Sequence, residues 1–203
     1  MKISYVPRPI NRNIPHRVTG FFASQKNEKH VVWESQLERD VCFLLEKDTS
    51  VISYETQSRT FVYIDHGKER TYTPDFYVRY ADGKDNYLEV KPQKFVKKFK
   101  EDKKLILEEI CENNIPFKII TDIEIRCGYF LENIKFLEHY SEKIVSEKTV
   151  EIINQLYQNR VSIKQLAKLI PLTEIYQLIY SDFFDVDLNH QLLSHDTILG
   201  VVK

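Results

Sequence analysis

The chain contains no run of 18 or more apolar residues, so no transmembrane helix is expected. Its opening stretch, MKISYVPRPINRNIPHRV, lacks the apolar core of a signal peptide. Cysteine is scarce. Cys42, Cys111 and Cys127 form an odd set with no CxxC pair and apolar neighbours, which argues against a disulfide framework and predicts reduced core thiols in a cytosolic protein. The six histidines (His16, His30, His66, His139, His190 and His195) show no ligand spacing and read as structural or surface residues. Internal repeats and low-complexity tracts are absent. The net charge of −1 implies no partner by itself. What remains is an ordinary globular composition, 42% hydrophobic and 29% charged. A length of 203 residues suffices for one large domain, or a medium and a small one, with a core that needs no disulfide.

The distribution of charge says more than its sum. Residues 1–30 carry net +5, residues 31–90 net −5 and residues 91–104 net +5. Basic segments flanking an acidic middle suit a metal site edged by phosphate-holding surfaces, although either patch alone is also what a solvated face or loose tail looks like.

Residues 1–30, with Pro7, Pro9 and Pro15, read as an extended basic arm. Helical periodicity starts at Trp33 and runs to Lys47, with Leu37, Val41 and Leu44 on one stripe and Ser35 and Glu38 spaced as a capping box. Residues 51–64 read as strand, 65–68 as a turn, and Arg70–Tyr80 and Tyr87–Lys91 as strands joined at Asp82-Gly83-Lys84. A helix over 95–112 follows, ended by Asn113-Asn114 and Pro116, and FKIIT at 117–121 is a last strand. Residues 123–140 are mixed, helical in their second half. A second unit is expected from 141, with helices over 146–158, 162–170 and 173–180 and a hairpin in the tail, the outline of a winged helix. The expected fold class is therefore α/β, and the expected domains are an arm (1–30), a principal domain (31–140) and a small helical, winged-helix-like C-terminal domain (141–203).

Strand alternation organises the chemistry. In TPDFYV, Phe76 and Val78 point one way and Asp75 the other, while in YLEVK, Leu88 and Val90 oppose Glu89 and Lys91. Pairing through the short turn brings Asp75 beside Glu89 and Lys91. Converging carboxylates repel, and a hard cation such as Mg²⁺, held by one or two of them, relieves the cost. The cation polarises a phosphate and acidifies water, and the lysine orients that water or neutralises developing charge. The alternative is a solvated acidic hairpin face. Glu38 lies beside the apolar stripe with Val41, Cys42 and Leu45, where a carboxylate needs a partner; it is a third candidate metal ligand, unless it only caps its own helix, and Glu34 is its rival. Lys94, Lys97, Lys98 and Lys104 lie on a helix whose Phe95, Val96 and Phe99 are expected to face inward, and they are candidates for backbone phosphate contact. Residues 141–203 carry net −2, little for a DNA reader. Tyr176, Tyr180, Phe183 and Phe184 there form either a patch for a protein partner or the seal of the hairpin.

The pieces WESQLERDVCFLLEKDTSVISYE, TPDFYV, LEVKP and NNIPFKIITDIEI, in this order and spacing, resemble the TnsA family of transposon endonucleases of the PD-(D/E)xK class, over most of residues 30–140. The resemblance implies a restriction-endonuclease-like mixed sheet flanked by helices. It implies a Mg²⁺-dependent DNA endonuclease (Mn²⁺ as substitute, two ions per site) that cuts the 5′ ends of a transposon in cut-and-paste transposition in a prokaryotic cytoplasm. The DDE transposase subunit TnsB, which processes the 3′ ends, and the ATPase regulator TnsC would be its partners. By motif, Glu38 matches the family's helical acid, Asp75 its strand acid, and Glu89 and Lys91 its acid-or-Gln, x, Lys pair; Glu stands here where some relatives have Gln. The C-terminal part matches weakly. A stand-alone restriction or repair endonuclease, and a non-catalytic DNA-binding scaffold with a nuclease fold, are the rival readings.

Overall fold

The computed structural model describes residues 2–4, 8, 18–156 and 160–201, and the chain divides between Ile125 and Arg126 into two compact units. The first contains β1 (Lys2–Ser4), β2 (Gly20–Ser24), β3 (Lys29–Trp33), α1 (Gln36–Lys47), β4 (Val51–Thr56), β5 (Thr60–Asp65), β6 (Lys68–Tyr72), β7 (Phe76–Tyr80), β8 (Asp85–Lys91), α2 (Gln93–Asp102), α3 (Lys104–Glu112), β9 (Phe117–Thr121) and α4 (Asp122–Ile125). Its main sheet has the order β4-β7-β8-β9, antiparallel except for the parallel β8–β9 pair, which α2 and α3 connect. A parallel neighbour needs such a crossover.

Helix α1 starts where Ser35 accepts a hydrogen bond from the Glu38 N–H at 3.1 Å, and it packs against β4 and β8. Its buried residues Val41, Cys42 and Leu45 complement the sheet face bearing Phe76, Val78, Leu88 and Val90. The opposite face is covered by a cluster of Phe61, Tyr72, Tyr87, Phe99, Ile106 and Ile110, drawn from β5, β6, β8, α2 and α3. Both faces of β8 are thus buried, which is why Glu89 is only 3% exposed.

Several expectations are corrected. Most of the described part of residues 1–30 is strand, not arm: β1 pairs with β5, and β2 with β3, while residues 1, 5–7 and 9–17, His16 among them, lie outside the described residues. Gly20 lies under the Trp33 ring, where a Cβ would meet Cζ2 at 2.3 Å. The strand expected over 51–64 splits at Gln57, a non-glycine residue with φ of 48°, and β5 joins β1 and β6 in a separate sheet. The strand expected over 70–80 splits at Thr73-Pro74-Asp75, and the helix expected over 95–112 breaks at Lys103. Cys42 is a buried thiol, but Cys111 and Cys127 are exposed.

The second unit begins at Arg126, ahead of the step read at 140/141, because α5 (Phe130–Glu138) gives Leu137 to its core. It continues with α6 (Glu147–Gln155), β10 (Arg160–Ser162), α7 (Ile163–Leu166), α8 (Leu172–Tyr180), β11 (Phe184–Asp185) and β12 (Ile198–Val201), the strands forming an antiparallel sheet of order β10-β12-β11. The tail is therefore one strand of a three-stranded sheet, not a separate hairpin. The buried Asn133 holds the β11–β12 loop by donating to the Leu188 and Gln191 carbonyls and accepting from the Leu193 N–H. Tyr176 and Phe184 are buried and Tyr180 and Phe183 half-buried against the core, so these aromatics seal the unit and form no exposed patch. Among the described residues no helix is long and apolar enough to cross a membrane.

Candidate active site

The β7–β8 ladder ends at Phe76↔Leu88, and one further step in that register places Asp75 opposite Glu89. Pro74 has no N–H to continue the ladder. The Asp75 side chain takes over: Oδ2 accepts the Val90 N–H at 2.8 Å, while its carbonyl accepts the Gln57 N–H at 3.0 Å. Asp75 is thus anchored at both ends in the bend just before β7, 8% exposed.

Lys91, at the end of β8, reaches back between the acids. Its Nζ lies 3.8 Å from Asp75 Oδ2 and forms a close ion pair with Glu89 Oε1. Below it, the Phe99 ring centroid is 5.2 Å away. Burial alone depresses the ammonium pKa, but Asp75, Glu89 and Glu38 outweigh it, so the net shift is upward and Lys91 stays charged. Burial raises the Asp75 pKa well above the ordinary carboxylate value; the charges of Glu89 and Glu38 add to this, and Lys91 and the Val90 N–H oppose it. Glu38 therefore belongs to the same electrostatic group as Asp75 and Lys91, delivered by the first turn of α1. Its Oε2 accepts the Glu34 N–H at 2.8 Å and its Oε1 the Ser35 hydroxyl at 2.9 Å. Its rival, Glu34, is held by Arg8 at 2.6 Å.

Sequence reasoning passed over Tyr72 and Lys103. The buried Tyr72 hydroxyl donates to Glu89 Oε2 at 2.7 Å, and Lys103 Nζ lies 5.6 Å from the Tyr72 ring centroid. The available signal was weak: a tyrosine in an apolar cluster needs a partner for its hydroxyl. Lys94, Lys97 and Lys98 stand exposed on α2, one step beyond Lys91. Lys104 is exposed on a different helix and faces Glu108 at 3.8 Å. Phe95 is 49% exposed, against its expected inward placement, with Lys94 Nζ 4.9 Å from its ring.

Among the described residues no three His, Cys, Asp or Glu side chains converge as a ready metal cage. The reason is local, because Glu38 is engaged at its own helix start and Lys91 draws on both strand acids. Mg²⁺ needs no cage; it takes one or two carboxylates and fills its octahedron with waters and substrate oxygens. Asp75 and Glu89, two buried, mutually repelling oxygen donors, fit that demand.

No curated protein matches the chain. Residues 48–122 match the family model described as TnsA-like endonuclease N terminal, a span that includes Asp75, Glu89, Lys91 and all of α2 and stops short of Glu38. Over residues 48–122 the chain therefore carries a segment similar to the N-terminal domain of TnsA-like endonucleases.

Proposed function

We propose that the protein is a Mg²⁺-dependent DNA endonuclease in which Asp75 and Glu89 hold the metal, Glu38 completes the acidic group and Lys91 serves the reacting phosphate. The observation that carries this reading is the convergence of Asp75, Glu89 and Lys91 at the broken end of the β7–β8 ladder. A bound cation supplies Lewis acidity toward a phosphate oxygen and a lowered pKa for water. Asp75 and Glu89 contribute fixed, buried negative charge that favours the cation over bulk water. Lys91, permanently charged, moves from its carboxylate contacts toward the phosphate and neutralises charge as it develops. Lys94, Lys97 and Lys98 continue the positive track and hold the flanking backbone, with Lys104 at its end.

The fold reading is restriction-endonuclease-like, supported by the mixed sheet with helices on both faces. For the second unit, the order α6-β10-α7-α8-β11-β12 and the sheet order β10-β12-β11 support a winged helix. Its acidic balance favours a protein partner over DNA, and in the proposed setting of transposon 5′-end cleavage that partner is the DDE transposase TnsB or the regulator TnsC. The deciding experiment is cleavage of labelled transposon-end DNA with Mg²⁺, with and without the partner transposase. Cuts at the 5′ ends that depend on Asp75 support the reading. Cleavage of any DNA without the partner moves the protein to the stand-alone endonucleases, and none under any condition leaves the scaffold.

A further inference from the structure

Tyr72 ends β6, three residues before Asp75, and its side chain leaves the β1-β5-β6 sheet to enter the cluster against the main sheet. The rings of Phe61, Phe99 and Phe117 surround it, each with its centroid 6.2 Å away, and Lys103 covers its face. In this setting the hydroxyl donates to Glu89 Oε2 at 2.7 Å. The two oxygens of Glu89 are thereby made unequal. Oε2 is committed to the phenol, and Oε1 is the oxygen on the side of Lys91, which also contacts Asp75.

We propose that Tyr72 is a positioning residue that holds Glu89 Oε1 toward Asp75 so that the two acids present a preformed pair to a divalent cation. This rests on the reading of Glu89 as a metal ligand. Left to itself, a carboxylate facing a second buried carboxylate rotates away, because the repulsion falls with distance. A hydrogen bond from a ring that cannot move opposes that rotation. Outer partners of this kind commonly change metal affinity 10- to 100-fold. The arrangement also ties the small sheet to the metal pair through one side chain.

The test is Mn²⁺ binding by the full-length chain without DNA, read from the electron paramagnetic resonance of the free ion, with circular dichroism reporting the fold. Tyr72→Phe keeps the ring and removes one oxygen; it should weaken Mn²⁺ binding by about 10- to 100-fold with the spectrum unchanged. In a Glu89→Ala background, where no side-chain oxygen is left to accept the phenol, the same substitution should change affinity by less than about twofold. Wild-type affinity in Tyr72→Phe, or an equal loss in both backgrounds, overturns the positioning role while the metal pair stands. A wild-type chain that binds no Mn²⁺ removes the metal reading and the positioning role together.

Discussion

The two units treat charge in opposite ways. The first buries Glu34, Glu38, Asp40, Asp75 and Glu89; the described part of the second buries only the uncharged polar residues Asn133, Thr149 and Thr197. Buried carboxylates weaken a fold unless something is gained, since desolvation and mutual repulsion both oppose them. In the first unit Glu34 pairs with Arg8, and Asp75 and Glu89 with Lys91. The second has a continuous apolar core of Leu137, Ile153, Ile163, Leu166, Ile175 and their neighbours. One unit keeps carboxylates in its interior, whereas the described part of the other keeps its charged side chains out of its core.

The comparison breaks most visibly at Asp75. Asp75→Asn should reduce cleavage by about a thousandfold or more, because several kcal/mol of charge stabilisation are lost. The same variant should melt at an equal or higher temperature. The folded-state pKa of Asp75 lies above its ordinary 3.8, so ionisation costs stability as pH rises from that value, and any gain should be larger at neutral pH than near pH 3.8. A calorimetric scan showing marked destabilisation at neutral pH would show that the acid serves the fold.

A core cut in the second unit should do the reverse. Ile175, fully buried in α8, should cost about 2–5 kcal/mol as Ile175→Ala. Hydrogen exchange should show loss of protection confined to residues beyond 125, with Mn²⁺ binding retained. The boundary itself is testable: a fragment ending at Ile125 should stay soluble, whereas one ending at Tyr140 should aggregate, because Leu137 loses the second-unit core that covers it.

On the surface, the Lys94→Ala, Lys97→Ala, Lys98→Ala triple variant should flatten the salt dependence of DNA binding by roughly 0.9 log–log units for each phosphate that is no longer neutralised. An unchanged slope in a titration over salt would make this helix a solvated face. The smallest effect belongs to Glu174, whose pKa is lowered by hydrogen bonds from Thr149 and Ser146. Its contribution is present above the ordinary glutamate value of 4.5 and fades as pH falls through the lowered one. Glu174→Gln should shift the melting temperature by no more than ~2 °C at neutral pH and by nothing in acid; a larger shift would mean that this half-buried residue organises α6.

Local signals were legible. The Ser35 cap, the α1 stripe, the turn at 82–84 and the FKIIT strand all follow from short-range pattern, and strand alternation placed Asp75, Glu89 and Lys91 together. Long-range pairing was not. Nothing in Lys2–Ser4 announces β5 as its partner, and the split at Gln57 depends on a backbone conformation that glutamine rarely adopts. Lys103 breaks a helix within a good helical pattern, so Lys104 was placed on the wrong element. The polar stretch after Tyr140 suggests a domain step, but α5 is assigned by what it packs against. Tyr72 was missed because hydrogen bonding to a carboxylate 17 residues away leaves no periodic trace.

Trp33 is the chain's single tryptophan. It lies buried over Gly20, with the Arg39 guanidinium 5.9 Å from its ring, and it is followed directly by Glu34 and the Ser35 cap. Excitation at the red edge of protein absorption therefore lights one spot, the junction of the β2–β3 hairpin with the start of α1. Its emission should be blue-shifted in the folded chain, indifferent to changes confined to the second unit, and responsive to any cation or DNA that draws Glu38 from its cap. The protein thus carries a built-in optical gauge a few residues from its proposed chemistry.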